Sequence, residues 1–128
     1  MTSTSTTQNI HIRSSYDKVF DYLQQPVNQR EWAIHFVKDV KEGPDGYIAV
    51  LPFGELPLKM HSDKTTGILD MELGQSRIPT RLISKGPNEC LYIFTLFRPE
   101  GISDMEWLQV AIPNLREELF SLKQILER

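Results

Sequence analysis

The period of hydrophobic and polar positions changes twice along this chain. Asn9 to Arg13 alternates, with Ile10 and Ile12 on one side and Asn9, His11 and Arg13 on the other, which predicts a short strand. From Tyr16 the step lengthens. Tyr16, Val19, Phe20 and Leu23 fall at i, i+3, i+4 and i+7, the apolar stripe of a helix, and Ser14 and Ser15 supply N-cap oxygens just before it. Pro26 stops that helix and suits the first turn of a second one over "PVNQREWA", where its missing N–H costs nothing.

From His35 to Arg98 the step returns to two, interrupted by turn residues. "HFVKDVKE" leads through "GPDG" into "YIAVLPF", and Gly54-Glu55 precedes "LPLKMHSDK". Thr66-Gly67 turns into "ILDMEL", Gly74-Gln75 into "RIPTRLIS", and "KGPNE" into the closing strand from Cys90 to Arg98. Six strands joined by short turns predict an antiparallel meander, seven strands with the first. In "ILDMELG" the acids Asp70 and Glu72 alternate with Leu69, Met71 and Leu73. Burying two unpaired carboxylates costs several kcal/mol each, so the apolar residues are expected inward and the acids outward.

The chain closes on one helix. Ser103 and Glu106 have the spacing of a capping box. Met105, Leu108, Ile112, Leu115, Leu119, Leu122 and Leu126 then step by threes and fours into a single apolar stripe, with Arg116, Glu117, Lys123 and Glu127 opposite. One stripe needs one surface, and the concave face of a twisted sheet provides it. Pro113 lacks the N–H that would bond the Gln109 carbonyl, which predicts a kink or break there. Trp107 lies off this stripe, which aims it at a cavity mouth or at solvent.

Composition narrows the partners. The chain has 128 residues, 40% hydrophobic and 24% charged, as expected of one soluble domain. Its formal net charge is −3, with 14 basic and 17 acidic residues scattered along the sequence. Nothing resembles the basic patch of a nucleic-acid surface, so none is expected as a partner. No long apolar run predicts membrane insertion. The single cysteine, Cys90, excludes a disulfide framework and a thiolate metal site, and points to a reducing, cytoplasmic setting. Residues 1–8, "MTSTSTTQ", read as a disordered polar tail, and residues 9–128 as one domain. A monomer or a homodimer fits equally well.

The order of strand, two short helices, six antiparallel strands and a long helix is that of the helix-grip fold. The wording also resembles the START-like (SRPBCC) superfamily, with its polyketide cyclase/dehydrase and lipid-transport group. "SSYDKVFDYLQQPVNQREW" is similar to its first strand-to-helix passage, "GILDMELG" to its central strand, and "FTLFRPEGISDMEW" with "NLREELFSLKQILE" to its closing strand and helix. The likeness spans residues 9 to 127. It implies an α+β fold, a seven-stranded curved antiparallel sheet wrapped around a C-terminal helix, and a hydrophobic ligand held between the two. Carriers, sensors and cyclases share that architecture, and fold alone does not choose among them.

The first expectation is therefore a carrier or sensor of a small hydrophobic molecule. The alternatives are a polyketide cyclase/dehydrase-type enzyme and an interaction module whose interior is packed shut. Candidate wall residues are Trp32 and Trp107, large and apolar with one donor each, the deformable Met60 and Met71, Phe94 on the closing strand and Ala111 on the last helix. For an enzyme, His35 at the helix-to-strand junction is the candidate general base. Arg81 is the candidate stabiliser of an enolate if it points inward, and a cross-strand ion-pair partner if outward. His11 and His61 are expected to face solvent. A His35/His61/Asp70 metal site lacks ligand spacing, and no metal or other cofactor is expected.

Overall fold

The computed structural model describes residues 3–128. Eight strands form one antiparallel sheet: β1 (Ser5–Ile12), β2 (Asp39–Gly43), β3 (Gly46–Leu51), β4 (Gly54–Asp63), β5 (Ile68–Leu73), β6 (Ser76–Ile78), β7 (Thr80–Gly86) and β8 (Glu89–Phe97). They lie in the order β1-β8-β7-β5-β4-β3-β2, with β6 paired to β5. Two helical segments follow β1. Helix α1 (Tyr16–Leu23) is capped by Ser15, whose side chain accepts from the Lys18 N–H, and it buries Val19, Phe20 and Leu23. Pro26 opens a 3₁₀ turn (Pro26–Asn28) that runs into α2 (Gln29–Trp32).

Three expectations change at the strands. The first strand begins at Ser5, so Ser5 to Gln8 belong to the sheet and not to a disordered tail; residues 1 and 2 lie outside the described residues. Threonines suit a pleated edge. Here they pair with the end of β8, the Thr7 and Thr95 hydroxyls meeting at 2.9 Å. "RIPTRLIS" is two strands rather than one, because Pro79 separates β6 from β7, which makes eight strands among the described residues. His35 and Phe36 sit in a turn after α2, and β2 starts only at Asp39.

Alternation holds where it was clearest. Leu69, Met71 and Leu73 are buried, while Asp70 and Glu72 turn away from the core. Glu72 takes Arg77 at 2.9 Å and lies 3.1 Å from His61. Cys90, Tyr92 and Phe94 are buried on the inner face of β8, and Leu91, Ile93 and Thr95 stay half-buried on the other.

The C-terminal helix is not a continuous α-helix. Ser103 accepts from the Glu106 N–H and opens α3 (Asp104–Glu106), which passes into a π-helical stretch (Trp107–Ala111) and then α4 (Ile112–Leu126). The Ile112 N–H bonds to the Trp107 carbonyl, five residues back. Pro113 follows at once, and the missing N–H with the bulk of its ring disfavours a regular turn over Gln109. A π-bulge is one way a helix absorbs that defect. Leu115, Leu119, Leu122 and Leu126 pack into the core. The far end is pinned by polar bonds: Lys123 Nζ to the His11 carbonyl (2.8 Å), Lys18 Nζ to the Leu126 carbonyl (3.1 Å), and the Arg13 N–H to Glu127 Oε2 (2.7 Å).

Candidate functional site

Between the inner face of the sheet and the bulged helix lies a cavity of about 290 Å³. α2 contributes Gln29 and Trp32. β5 contributes Met71 and Leu73, β8 Phe94 and Leu96, and the helix Val110, Ala111, Asn114, Leu115 and Glu118. Phe36, Pro99 and Val110 are exposed as well as lining, so they mark its mouth. The Phe36 ring lies 6.3 Å from that of Phe53, which is 70% exposed.

The aromatic wall is locked. The Trp32 indole meets Tyr92 and Phe94 edge-on at 6.3 and 6.4 Å, both at 86°. Such T-shaped contacts are favourable beyond the area they bury, so this wall holds its shape without a ligand. The bulge sets the other wall. Adding one residue to a turn widens the helix locally, and Val110 and Ala111 at its end face the cavity.

Glu118 is the one carboxylate in the lining. It is 6% exposed, and its Oε2 accepts the backbone N–H groups of His35 (2.9 Å) and Phe36 (3.2 Å). Burial pushes its pKa above the ordinary carboxylate value, opposed by the hydrogen bond from the His35 N–H and by the nearby imidazole. The sequence reading passed over this residue although a signal was present. Leu115, Glu118, Leu119 and Leu122 form an i, i+3, i+4, i+7 set, which places the acid in the buried row.

Of the residues singled out from sequence, Trp32, His35, Met71, Phe94 and Ala111 do line this cavity. Met60, Trp107 and Arg81 do not. Met60 is half-buried and lines a separate, more open depression with Gln24, Tyr47 and Pro57. Trp107 is fully buried, and its Nε1–H points to the Ser3 hydroxyl at 3.4 Å. Its place off the stripe assumed an unbroken α-helix, and the π-bulge rotates it inward. Met105 and Leu108, expected in the buried stripe, are 69% and 52% exposed for the same reason.

Arg81 faces outward on β7, where its Nε donates to the Thr66 carbonyl (3.3 Å). It neither enters the cavity nor pairs with Glu72, whose partner is Arg77. His35 and Arg81 are therefore not brought together. The His35 Nε2 is buried and lies 3.2 Å from Glu117 Oε1 without the alignment of a hydrogen bond. That contact is an ion-pair approach, not a nitrogen presented to the cavity. Among the described residues no cluster of His, Cys, Asp or Glu could hold a metal ion, and no helix is long and apolar enough to cross a membrane.

No family model matches this sequence, and no curated protein matches it. Solved structures do. The protein XoxI from Bacillus cereus superposes with a TM-score of 0.75 over 97% of this chain and 96% of its own, at 14% identity. The Zhui aromatase/cyclase from a Streptomyces strain gives 0.74 over 97% and 93%, at 10% identity. A START superfamily protein from Mycobacterium smegmatis gives 0.73 over 96% and 97%, at 11% identity. At such identities the likeness is one of fold. This chain has the α+β START-like, helix-grip fold that its element order implied.

Proposed function

We propose that this protein binds a small hydrophobic molecule in the cavity between the Trp32–Phe94 wall and the bulged helix, as a carrier or sensor. The observation that carries the reading is the cavity itself. About 290 Å³ of space is walled mainly by apolar side chains and opens past Phe36, Pro99 and Val110. Ligand sites usually span ~300–1,000 Å³, so the occupant is a compact molecule. Open space of this size also argues against the packed-shut module. A cytoplasmic setting fits the single thiol, Cys90, which is free and buried, its pKa pushed up to about 11 by burial.

The enzymatic alternative draws on the likeness to an aromatase/cyclase. It is the weaker reading, because the expected base and the expected enolate stabiliser are not brought together: Arg81 lies outside the cavity and the His35 Nε2 is closed against Glu117. Wild-type protein incubated with short poly-β-keto thioester mimics is expected to give no cyclised or dehydrated product above buffer. Enzyme-dependent product would revive cyclase chemistry.

Native mass spectrometry of freshly purified protein tests for a co-purifying small molecule. An environment-sensitive apolar dye provides the complementary measurement. Saturable binding that perturbs tryptophan emission is expected, since Trp32 forms part of the wall. Absence of saturable binding, together with a bare native mass, would refute the carrier reading.

A further inference from the structure

We propose that the molecule taken by this cavity is an organic amine, an apolar body ending in a protonated nitrogen that binds the free Oε1 of Glu118. The inference deepens the reading of the cavity as a ligand site and rests on it.

Five residues with polar side-chain atoms line the cavity: Gln29, Trp32 with its indole N–H, His35, Asn114 and Glu118. No lysine or arginine is among the lining residues. The two carboxylate oxygens of Glu118 have different fates. Oε2 is committed to the His35 and Phe36 N–H groups, while Oε1 accepts no hydrogen bond from any described residue. Among the described residues no Lys, Arg or His nitrogen makes ion-pair contact with Glu118, the nearby His35 Nε2 contacting Glu117 instead. Two backbone donors favour the ionised carboxylate and oppose the burial that raises its pKa. An ionised carboxylate buried without a counter-charge is costly. A ligand cation placed on Oε1 removes that cost, which a neutral or anionic head group cannot do.

The other polar groups do not offset Glu118. Gln29 gives one amide N–H to the Met71 sulfur and keeps its second N–H beside its carbonyl oxygen, so it offers a donor and an acceptor alike. The buried His35 Nε2 is closed off. Asn114 offers a donor and an acceptor alike and does not discriminate. The cavity therefore has apolar walls with a single acid among its polar groups, which matches an apolar body with a cationic N–H donor at one end. A carboxylate ligand would meet Glu118 as a like charge.

The test compares three probes with one apolar body: 4-phenylbutylamine, 4-phenylbutan-1-ol and 4-phenylbutyrate. Each is titrated into nitrogen-labelled protein at neutral pH, with the amide signals of His35 and Phe36 and the Trp32 indole signal as readouts. The amine is expected to bind about tenfold or more tightly than the alcohol, and the carboxylate most weakly. It should also shift the His35 and Phe36 amides, because its nitrogen shares their acceptor group. In Glu118→Gln the amide oxygen still serves both backbone donors and the NH₂ turns to the cavity, so the amine's advantage should vanish. Equal binding of the three probes, or preference for the carboxylate, would overturn the amine assignment and leave the apolar cavity reading intact. If none of the three perturbs the Trp32 signal, both readings fail. Should Glu118→Gln not fold, the wild-type ranking decides alone.

Discussion

The Ile112 N–H donates to the carbonyl oxygen of Trp107, one residue further back than an α-helix would allow. At 3.6 residues per turn, one extra residue rotates everything upstream by about 100°. That rotation brings Trp107 into the buried row and swings Leu108 out of it. Trp107→Ala should therefore cost ~3–5 kcal/mol, as for a buried large aromatic. Met105→Ala and Leu108→Ala should stay within about 0.5 kcal/mol of wild type, as exposed positions do. Urea denaturation of the three variants measures this directly. A large loss at Leu108 with little at Trp107 would restore the unbroken helix.

Glu118 makes stability depend on pH in a direction opposite to Asp39, Glu72, Glu89 and Glu127. Its folded pKa lies above the ordinary value of 4.5, chiefly through burial, so the folded chain holds this proton more tightly than the unfolded chain. The resulting stabilisation is complete below about pH 4.5 and drains away as pH rises through the folded value. Asp39, Glu72, Glu89 and Glu127 are held low, mainly by hydrogen bonds from Arg30, Arg77, His11 and the Arg13 N–H, and they contribute the reverse dependence. They do so equally in wild type and Glu118→Gln. The difference in Tm, wild type minus variant, should thus be most favourable to wild type near pH 4.5 and shrink towards pH 7. A difference that grows with pH would show the Glu118 pKa to be depressed instead.

What could be read from sequence follows from how each feature is encoded. The α1 stripe, the inward Leu69-Met71-Leu73 set and the Ser103 cap each depend on neighbours two to four residues away, and they appear where the pattern puts them. Pro113 announced a defect but not its form. A kink, a break and a π-bulge begin from the same missing N–H, and here the bulge shifts the upstream residues by one position around the helix. That one difference misplaced Trp107, Met105 and Leu108 together. Arg81 could not be placed because Pro79 interrupts the alternation that would have fixed its face. Glu118 was legible and missed, since a charged residue in an apolar row invites assignment to the opposite face. Its partners, the N–H groups of a turn more than 80 residues away, leave no local trace in the sequence.

Gly67 marks a close approach between the β4–β5 turn and β7. Its φ is +81°, a Cβ there would stand 2.1 Å from the Leu82 carbonyl oxygen, and the Leu82 N–H bonds to the Gly67 carbonyl at 2.8 Å. Because the obstacle is backbone in a paired strand, no side chain can rotate to relieve it. Gly67→Ala should destabilise by more than ~1 kcal/mol, the reverse of the gain usual where alanine fits. Gly46→Ala offers a control with the same sign of φ (+124°) and no atom within 4 Å of the added carbon. The thermal midpoint of Gly67→Ala should fall clearly below that of Gly46→Ala. Equal midpoints would mean that backbone conformation alone, and not the clash with Leu82, sets the cost.

Ala111 offers the cleanest separation of cavity from fold. It ends the π-helical stretch, lines the cavity and is only half-buried, so a larger side chain there can extend into existing space. Ala111→Phe should occupy much of the ~290 Å³ with apolar atoms facing Trp32 and Phe94. Filling a cavity with apolar volume is at worst mildly destabilising when no neighbour must move. The variant is therefore expected to keep a cooperative unfolding transition within a few degrees of wild type. Dye binding should nevertheless weaken about tenfold or more, because the displaced volume is the site itself and a loss of ~1.4 kcal/mol suffices. Leu108→Phe places the same aromatic side chain at an exposed position outside the cavity and should leave dye affinity unchanged. If Ala111→Phe folded normally and bound dye as tightly as wild type, the dye would be occupying another surface and the cavity could not be the site.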